Sequence, residues 1–281
     1  MAQAAPVDLE KRVDAPDVAR TVGKGEAHKK IETQADGATI IKHPKIWDLG
    51  ELIRDFPKLN EPVIDGLLRR GEILNIISQA KRGKSWLVQD LALAVAMGRT
   101  WLGFPVIHGN VLVVDSELHK STIAHRAKKI CEERGIVLIS EVLKRIRYMP
   151  LRADLCDING IVAAIAAYRE TPLDVVIIDP LYRTYPRGID ENDNGAMAQL
   201  YNEIDKIGAG KNAGTVIVHH PSKGSQFEKS IQDVGAGAGS FARATDTHMI
   251  LRAGRKEFED YVLMEAITRT GKIPLLVGGT L

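Results

Sequence analysis

The sequence predicts an α/β protein built on a mainly parallel sheet sandwiched by helices, and three observations carry that expectation. The apolar residues are mostly Ile, Val, Leu and Ala, while aromatics make up only 5% of the chain, the mix that buried parallel strands and their covering helices favour. Short β-branched runs recur along the chain with helix-like segments between the first four of them, and strands alternating with helices imply parallel pairing. After the first of these runs, Ser78 to Ser85 joins a buried strand to an apolar helix through a loop containing glycine and lysine, the context in which phosphate-binding loops occur.

Bulk composition narrows the class further. A chain of 281 residues with 44% hydrophobic and 26% charged content can bury one main core. The formal charge of +2 leaves any nucleic-acid contact to local basic patches. Cys131 and Cys156 have no metal-ligand spacing and form no disulfide framework, the chain start lacks the apolar core of a signal peptide, and the longest apolar stretches fall far below the roughly 18 residues that span a bilayer. The expectation is a cytoplasmic protein with no membrane contact.

Residues 1–45 are polar with scattered single apolar positions, which cannot offset the entropy of ordering. They read as a flexible tail, although weak helical spacing from Val7 to Val22 leaves open a helix that docks on a partner subunit. The globular domain is placed at 46–281. Pro62 to Asn75 reads as a turn feeding a strand that continues through Ile77, and further strands are expected at Asn110 to Val114, Leu173 to Ile178, Gly214 to Val218 and Asp246 to Leu251. Ser121 can cap a helix whose Ile123, Ala127 and Ile130 share one face and which Gly135 can end. Asp193 can cap another with Met197, Leu200, Ile204 and Ile207 on one face, stopped by Gly208 to Gly210. Tyr261 to Thr268 and Ile273 to Val277 flank a turn and read as a C-terminal β-hairpin.

The segment Ser78, Gln79, Ala80, Lys81, Arg82, Gly83, Lys84, Ser85 is a variant of G-x-x-x-x-G-K-[ST], with a helix beginning near Trp86. Backbone N–H groups of such a loop cradle phosphate oxygens, a lysine neutralises the β and γ phosphates, and a hydroxyl holds Mg²⁺. Gly83, Lys84 and Ser85 fit those roles. Ser78 replaces the first glycine, which matters if that position requires positive φ.

Carboxylates follow in strand-end positions. Asp115-Ser116-Glu117 ends the strand at Val114, so Glu117 can polarise an attacking water, or these acids can cap the helix at Ser121. Val175 to Asp179 is four apolar residues ending in an acid, the form of a strand that delivers a carboxylate to Mg²⁺. Adjacent His219 and His220 point to opposite faces of an extended chain, which disfavours a two-histidine metal site. One of them, His220 by preference, suits a hydrogen-bonding sensor of the γ-phosphate.

These ordered pieces resemble the RecA-like hexameric ATPases, and within them the RepA-type plasmid replicative helicases and related DnaB-type helicases, over about Pro62 to Thr270. The resemblance rests on the loop at Ser78 to Ser85, Glu117 followed nine residues later by Arg126, the strand ending at Asp179, and the run His219 to Gly224. It implies a RecA-like core that binds ATP through Ser78 to Trp86 and Arg126, with Mg²⁺ at Ser85 and Asp179. It further implies a ring in which an arginine acts in trans on a neighbour's nucleotide. Arg269 matches that finger by position, although Ile267 stands where DnaB-type members usually carry a basic residue. Two loops match the channel segments that touch single-stranded DNA: Arg183 to Gly195, with Arg183 and Arg187, and Ser222 to Ser240, with Lys223 and Lys229.

The expectation is an ATP- and Mg²⁺-dependent hexameric DNA helicase or translocase serving plasmid, phage or mobile-element replication. Its partners would be single-stranded DNA, copies of itself, and a replication initiator or primase. The alternative is a RecA-like regulatory or DNA-repair ATPase that assembles on DNA or protein without unwinding.

Overall fold

Strands buried on both faces need no polar alternation, and the runs around the two strand-end acids have none: Val111–Asp115 and Val175–Asp179 are buried at every position. In the computed structural model they are neighbouring parallel strands. The structure describes residues 30–33, 39–42, 44–79, 83–137, 139–190, 193–220, 244–253, 261–269 and 271–280, in two units, Met1–Lys58 and Leu59–Leu281.

In the first unit β1 (Lys30–Thr33) and β2 (Thr39–Lys42) pair antiparallel, within the stretch where the sequence offers only a tail. Helix α1 (Leu49–Asp55) starts from a capping box: the Asp48 carboxylate accepts the Glu51 N–H at 2.8 Å, and the Glu51 carboxylate accepts the Asp48 N–H at 3.3 Å. Trp47 and Phe56 meet edge to face at 5.6 Å across this short helix.

The second unit opens with a small antiparallel pair, β3 (Pro62–Ile64) and β4 (Leu68–Arg69), that leads into β5 (Ile73–Ser78). There follow α2 (Lys84–Met97), β6 (Val111–Asp115), α3 (Lys120–Glu133), α4 (Ser140–Arg145), β7 (Ile146–Pro150), α5 (Ile158–Ala167) and β8 (Val175–Asp179). A 3₁₀ turn at Leu181–Thr184 and α6 (Asn194–Lys211) precede β9 (Gly214–His219), β10 (Thr247–Ala253), β11 (Tyr261–Thr268) and β12 (Gly271–Thr280).

One eight-stranded sheet runs in the order β12-β11-β10-β5-β9-β8-β6-β7, parallel from β10 to β7 and antiparallel at the C-terminal hairpin. The expected class and hairpin are therefore present. Leu74, Ile76, Val113, Ile177 and Val218 bury one sheet face with Leu91 and Val95 of α2. Ile73, Val114, Ile178 and Ile217 bury the other with Ile161 and Ile165 of α5 and Met197, Leu200 and Ile204 of α6. Each such buried side chain contributes roughly 1.5–3 kcal/mol of transfer free energy.

Several boundaries differ from the sequence expectation. α2 begins at Lys84, two residues before Trp86, because Gly83 at φ 80° turns the chain directly into the helix. α3 begins at Lys120 after His119, with no side-chain cap, so Ser121 is its second residue and not its cap. Asp193 does cap α6, accepting the N–H groups of Gly195 and Ala196. That helix passes through Gly208 to Gly210 and ends at Asn212, a left-handed residue whose N–H bonds the Gly208 carbonyl. β12 takes up the hairpin at Gly271, earlier than Ile273.

Candidate functional site

Parallel register brings the carboxyl ends of β5, β9, β8 and β6 to one edge of the sheet, where ligand crevices of α/β proteins form. β9 lies between the loop-bearing β5 and the acid-bearing β8, pairing Ile77 with His219 on one side and Ile178 with Ile217 on the other. Asp115 and Asp179 are direct partners across β6 and β8, and the Ser116 N–H donates to the Asp179 carbonyl at 3.0 Å.

The phosphate-loop motif is split between strand and helix. Ser78 is the last residue of β5, paired with Leu251 and 2% exposed, and it is not among the residues of positive φ. Its hydroxyl donates to the Gln79 carbonyl at 3.0 Å. Strand geometry at this position accepts a Cβ, so serine in place of glycine imposes no backbone strain; left-handed backbone is required at Gly83 instead. Ala80, Lys81 and Arg82 lie outside the described residues.

Lys84 is the first residue of α2 and is buried. Its ammonium donates to the carbonyls of Ser78 at 2.5 Å and Gln79 at 2.7 Å, which aims the cation across the mouth of the loop. Burial pulls its pKa down to about 8, against the opposing pull of Asp179 and Glu117. Asp179 is 5% exposed. Burial pushes its carboxyl up to about 7, the Ser85 hydroxyl hydrogen-bonds to it, and the charges of Asp115 and Glu117 add to the upward shift. A buried carboxylate joined to a serine hydroxyl beside an ammonium is a donor set that fits a hydrated Mg²⁺ carrying phosphate oxygens.

Glu117 is delivered by a turn that its neighbour builds. The Asp115 carboxylate accepts the N–H groups of Glu117 at 2.9 Å and Leu118 at 2.8 Å, so Asp115 caps the strand-end turn and not α3. The Glu117 carboxylate is partly exposed, accepts the Tyr182 hydroxyl at 2.7 Å, and lies 4.0 Å from the Arg183 guanidinium. Arg152 from the end of β7 donates to the Glu117 carbonyl at 2.6 Å. Arg126 sits over the Trp86 ring at 5.0 Å, joining two of the expected nucleotide residues.

The two histidines divide as their alternation dictates. His219 is buried: its Nδ1–H donates to the His220 carbonyl at 3.3 Å, which leaves Nε2 to accept the Tyr185 hydroxyl at 3.4 Å. Burial drives its pKa down to about 4, so it is neutral. His220 is half-buried, with its ring edge to face with Tyr182 at 5.3 Å. Burial first and the Lys84 charge second lower its pKa. The Lys84 charge acts on both rings, and His220 is the less buried of the two.

Arg269 lies elsewhere. Thr268 pairs with Thr247, which pairs with Leu74, so this end of the hairpin stands at the amino end of β5, about 13 Å along the strand from Ser78. Its guanidinium approaches the Asp246 carboxylate at 3.4 Å and the Thr245 carbonyl at 3.4 Å. Arg183 and Arg187 are exposed after β8, whereas Lys223 and Lys229 lie outside the described residues.

Sequence reasoning missed Tyr182, Arg152 and the turn-building role of Asp115. Tyr182 follows Asp179 by three positions, and that place just past a strand's carboxyl end is the signal that could have found it.

Among the described residues no helix is long and apolar enough to cross a membrane. No curated protein matches the sequence at a significant level. Among solved structures, an ATPase domain of another protein shares the fold with a TM-score of 0.54 over 75% of this chain and 80% of that chain, at 14% identity. A family model described as AAA domain matches residues 39–226. That match spans more than half of the sequence, and the chain belongs to the AAA domain family, with a RecA-like P-loop ATPase fold.

Proposed function

We propose that this protein is an ATP-hydrolysing motor that works on single-stranded DNA as a ring of identical subunits, a helicase or translocase for plasmid, phage or mobile-element replication. The observation that carries the hydrolytic part is the convergence of Lys84, Ser85, Asp179 and Glu117 at the carboxyl ends of β5, β8 and β6, with their electrostatic coupling. Lys84 would neutralise the β and γ phosphates, and Gly83 and the start of α2 would present backbone N–H groups to them. Ser85 and Asp179 would hold Mg²⁺, which when bound offsets phosphate charge. Glu117 accepts a hydrogen bond from the attacking water and aims its lone pair at the terminal phosphorus.

The place of Arg269 supports action in trans, since it stands at the end of the sheet away from its own chain's loop. Supplied to a neighbour's nucleotide, it would stabilise the charge that develops on the transferred phosphoryl group. His220 is the last described residue before 221–243, the segment containing Lys223 and Lys229. A change at the phosphate sensed by His220 therefore has a direct chain connection to residues read as DNA-facing, with Arg183 and Arg187 entering from the segment after β8. A replication initiator or primase would load or use such a ring.

The test is the steady-state ATPase rate with and without single-stranded DNA, with Glu117→Gln as control and particle mass measured in the same buffer. Strong stimulation by DNA in a ring-sized species, abolished in the control, is expected. Turnover indifferent to DNA sinks the motor reading and favours a regulatory or repair ATPase that does not unwind.

A further inference from the structure

We propose that Tyr182 is the positioning residue for Glu117 and joins it to His220, so that the water-orienting carboxylate and the phosphate sensor share one side chain. This rests on the hydrolytic reading above. The Tyr182 hydroxyl donates to Glu117 Oε1 at 2.7 Å, while Arg183 Nε donates to the same hydroxyl oxygen at 3.2 Å. Since Arg183 Nε is 4.0 Å from Glu117, too far for a hydrogen bond, its influence on the carboxylate runs chiefly through the phenol. The chain Arg183 to Tyr182 to Glu117 is thus a directed relay in which each group gives what the next accepts.

The other side of the tyrosine closes the link. Its ring packs edge to face with the His220 imidazole at 5.3 Å. Glu117 itself lies on the turn after β6, with its backbone fixed by Asp115 and Arg152, but among the described residues its carboxylate has one hydrogen bond, that from Tyr182. A glutamate held by backbone alone would sample several rotamers. The phenol selects one, and the ring ties that choice to the position of His220.

The experiment uses the full chain with saturating single-stranded DNA and varied ATP. Tyr182→Phe removes the hydroxyl and keeps the ring. Because Tyr182 is 39% exposed, the variant is expected to fold, which circular dichroism melting checks. The expected result is a fall in kcat of about tenfold with KM for ATP changed by less than about twofold, the pattern of an interaction that matters in the transition state and not in binding. On a Glu117→Asp background the carboxylate is one methylene short of the phenol, so adding Tyr182→Phe lowers kcat no further.

Three results overturn the inference: wild-type kcat in Tyr182→Phe, a rise in KM with kcat intact, or an equal fall in both backgrounds. A wild-type chain without turnover, or Glu117→Gln at the wild-type rate, overturns the hydrolytic reading and this inference with it. A dead Glu117→Gln beside an unaffected Tyr182→Phe overturns this inference alone.

Discussion

At the amino ends of the parallel strands most charged side chains are held in ion pairs and backbone hydrogen bonds, whereas at the carboxyl ends buried charges are gathered beside one another. Arg70 donates to Asp174 and Glu61 at 2.9 Å each, Asp174 accepts the Asn110 N–H at 2.7 Å, and Asp246 accepts the Ile73 N–H at 2.9 Å. At the opposite end Asp179 is pushed up to about 7 and Lys84 down to about 8, both by burial. Both ends belong to one sheet, so the difference is in how the charges are partnered. Paired ions pin loops to the sheet; crowded, desolvated ones have shifted protonation equilibria, the mark of a candidate functional site.

The largest expected effects break this comparison if they fall on the wrong end. Lys84→Ala should reduce turnover by about 10²- to 10³-fold, the scale for losing one preorganised electrostatic group, while denaturant melting shows stability within about 1 kcal/mol, because a desolvated charge leaves along with its two hydrogen bonds. Asp174→Ala should do the reverse. It strands the Asn110 N–H and leaves the Arg70 guanidinium with only Glu61 and the Asn212 carbonyl, and should cost about 2–3 kcal/mol of stability with turnover per folded molecule unchanged. Equal losses of stability in the two variants would dissolve the distinction between the ends.

A smaller effect probes the strands that separate the two ends. His248 on β10 is 5% exposed, both its ring nitrogens lack a hydrogen-bond partner among the described residues, and burial brings its pKa down to about 4. His219 on β9 is likewise brought to about 4. In both, the folded pKa lies below the unfolded value of 6.5, so the unfolded chain takes up protons first as pH falls. Stability is therefore lost between pH 6.5 and 4. At pH 5 each histidine should cost about 2 kcal/mol relative to pH 7. His248→Leu should shrink the loss measured by melting between pH 7 and 5 by about that amount; an unchanged loss would mean that His248 is hydrated.

What the sequence revealed of this arrangement follows the range of the interactions involved. Val111–Asp115 and Val175–Asp179 were legible because burial on both faces writes an unbroken apolar run. β7, Ile146–Pro150, was not: as an edge strand it is half-buried throughout and mixes Arg147 and Tyr148 with apolar residues. The loop motif and strand-end acids were legible as local patterns. The strand order that sets β9 between β5 and β8 was not, since register is decided by tertiary packing. Tyr182 escaped for the same reason, because its partner Glu117 is 65 residues away along the chain. Ser121 misled because its capping ability is local, while the turn built by Asp115 precedes a helix capped at His119, two residues earlier.

The smallest expected effect lies where the motif itself departs from its pattern. Ser78 is strand residue and loop residue at once: its backbone pairs with β10, its carbonyl accepts Lys84, and its hydroxyl bonds forward to Gln79. The left-handed backbone that a phosphate loop needs is met at Gly83, at φ 80°. Restoring glycine by Ser78→Gly therefore relieves no strain. It adds freedom to the unfolded chain and removes one hydrogen bond, and should lower stability by about 0.5–1 kcal/mol. Both the ATP KM and kcat should stay within about twofold of wild type, since the Lys84 contact is to the main-chain oxygen, which glycine also carries. A tenfold gain in turnover would show instead that the serine side chain holds the loop back, and would move the crowded end of the sheet one residue further into β5.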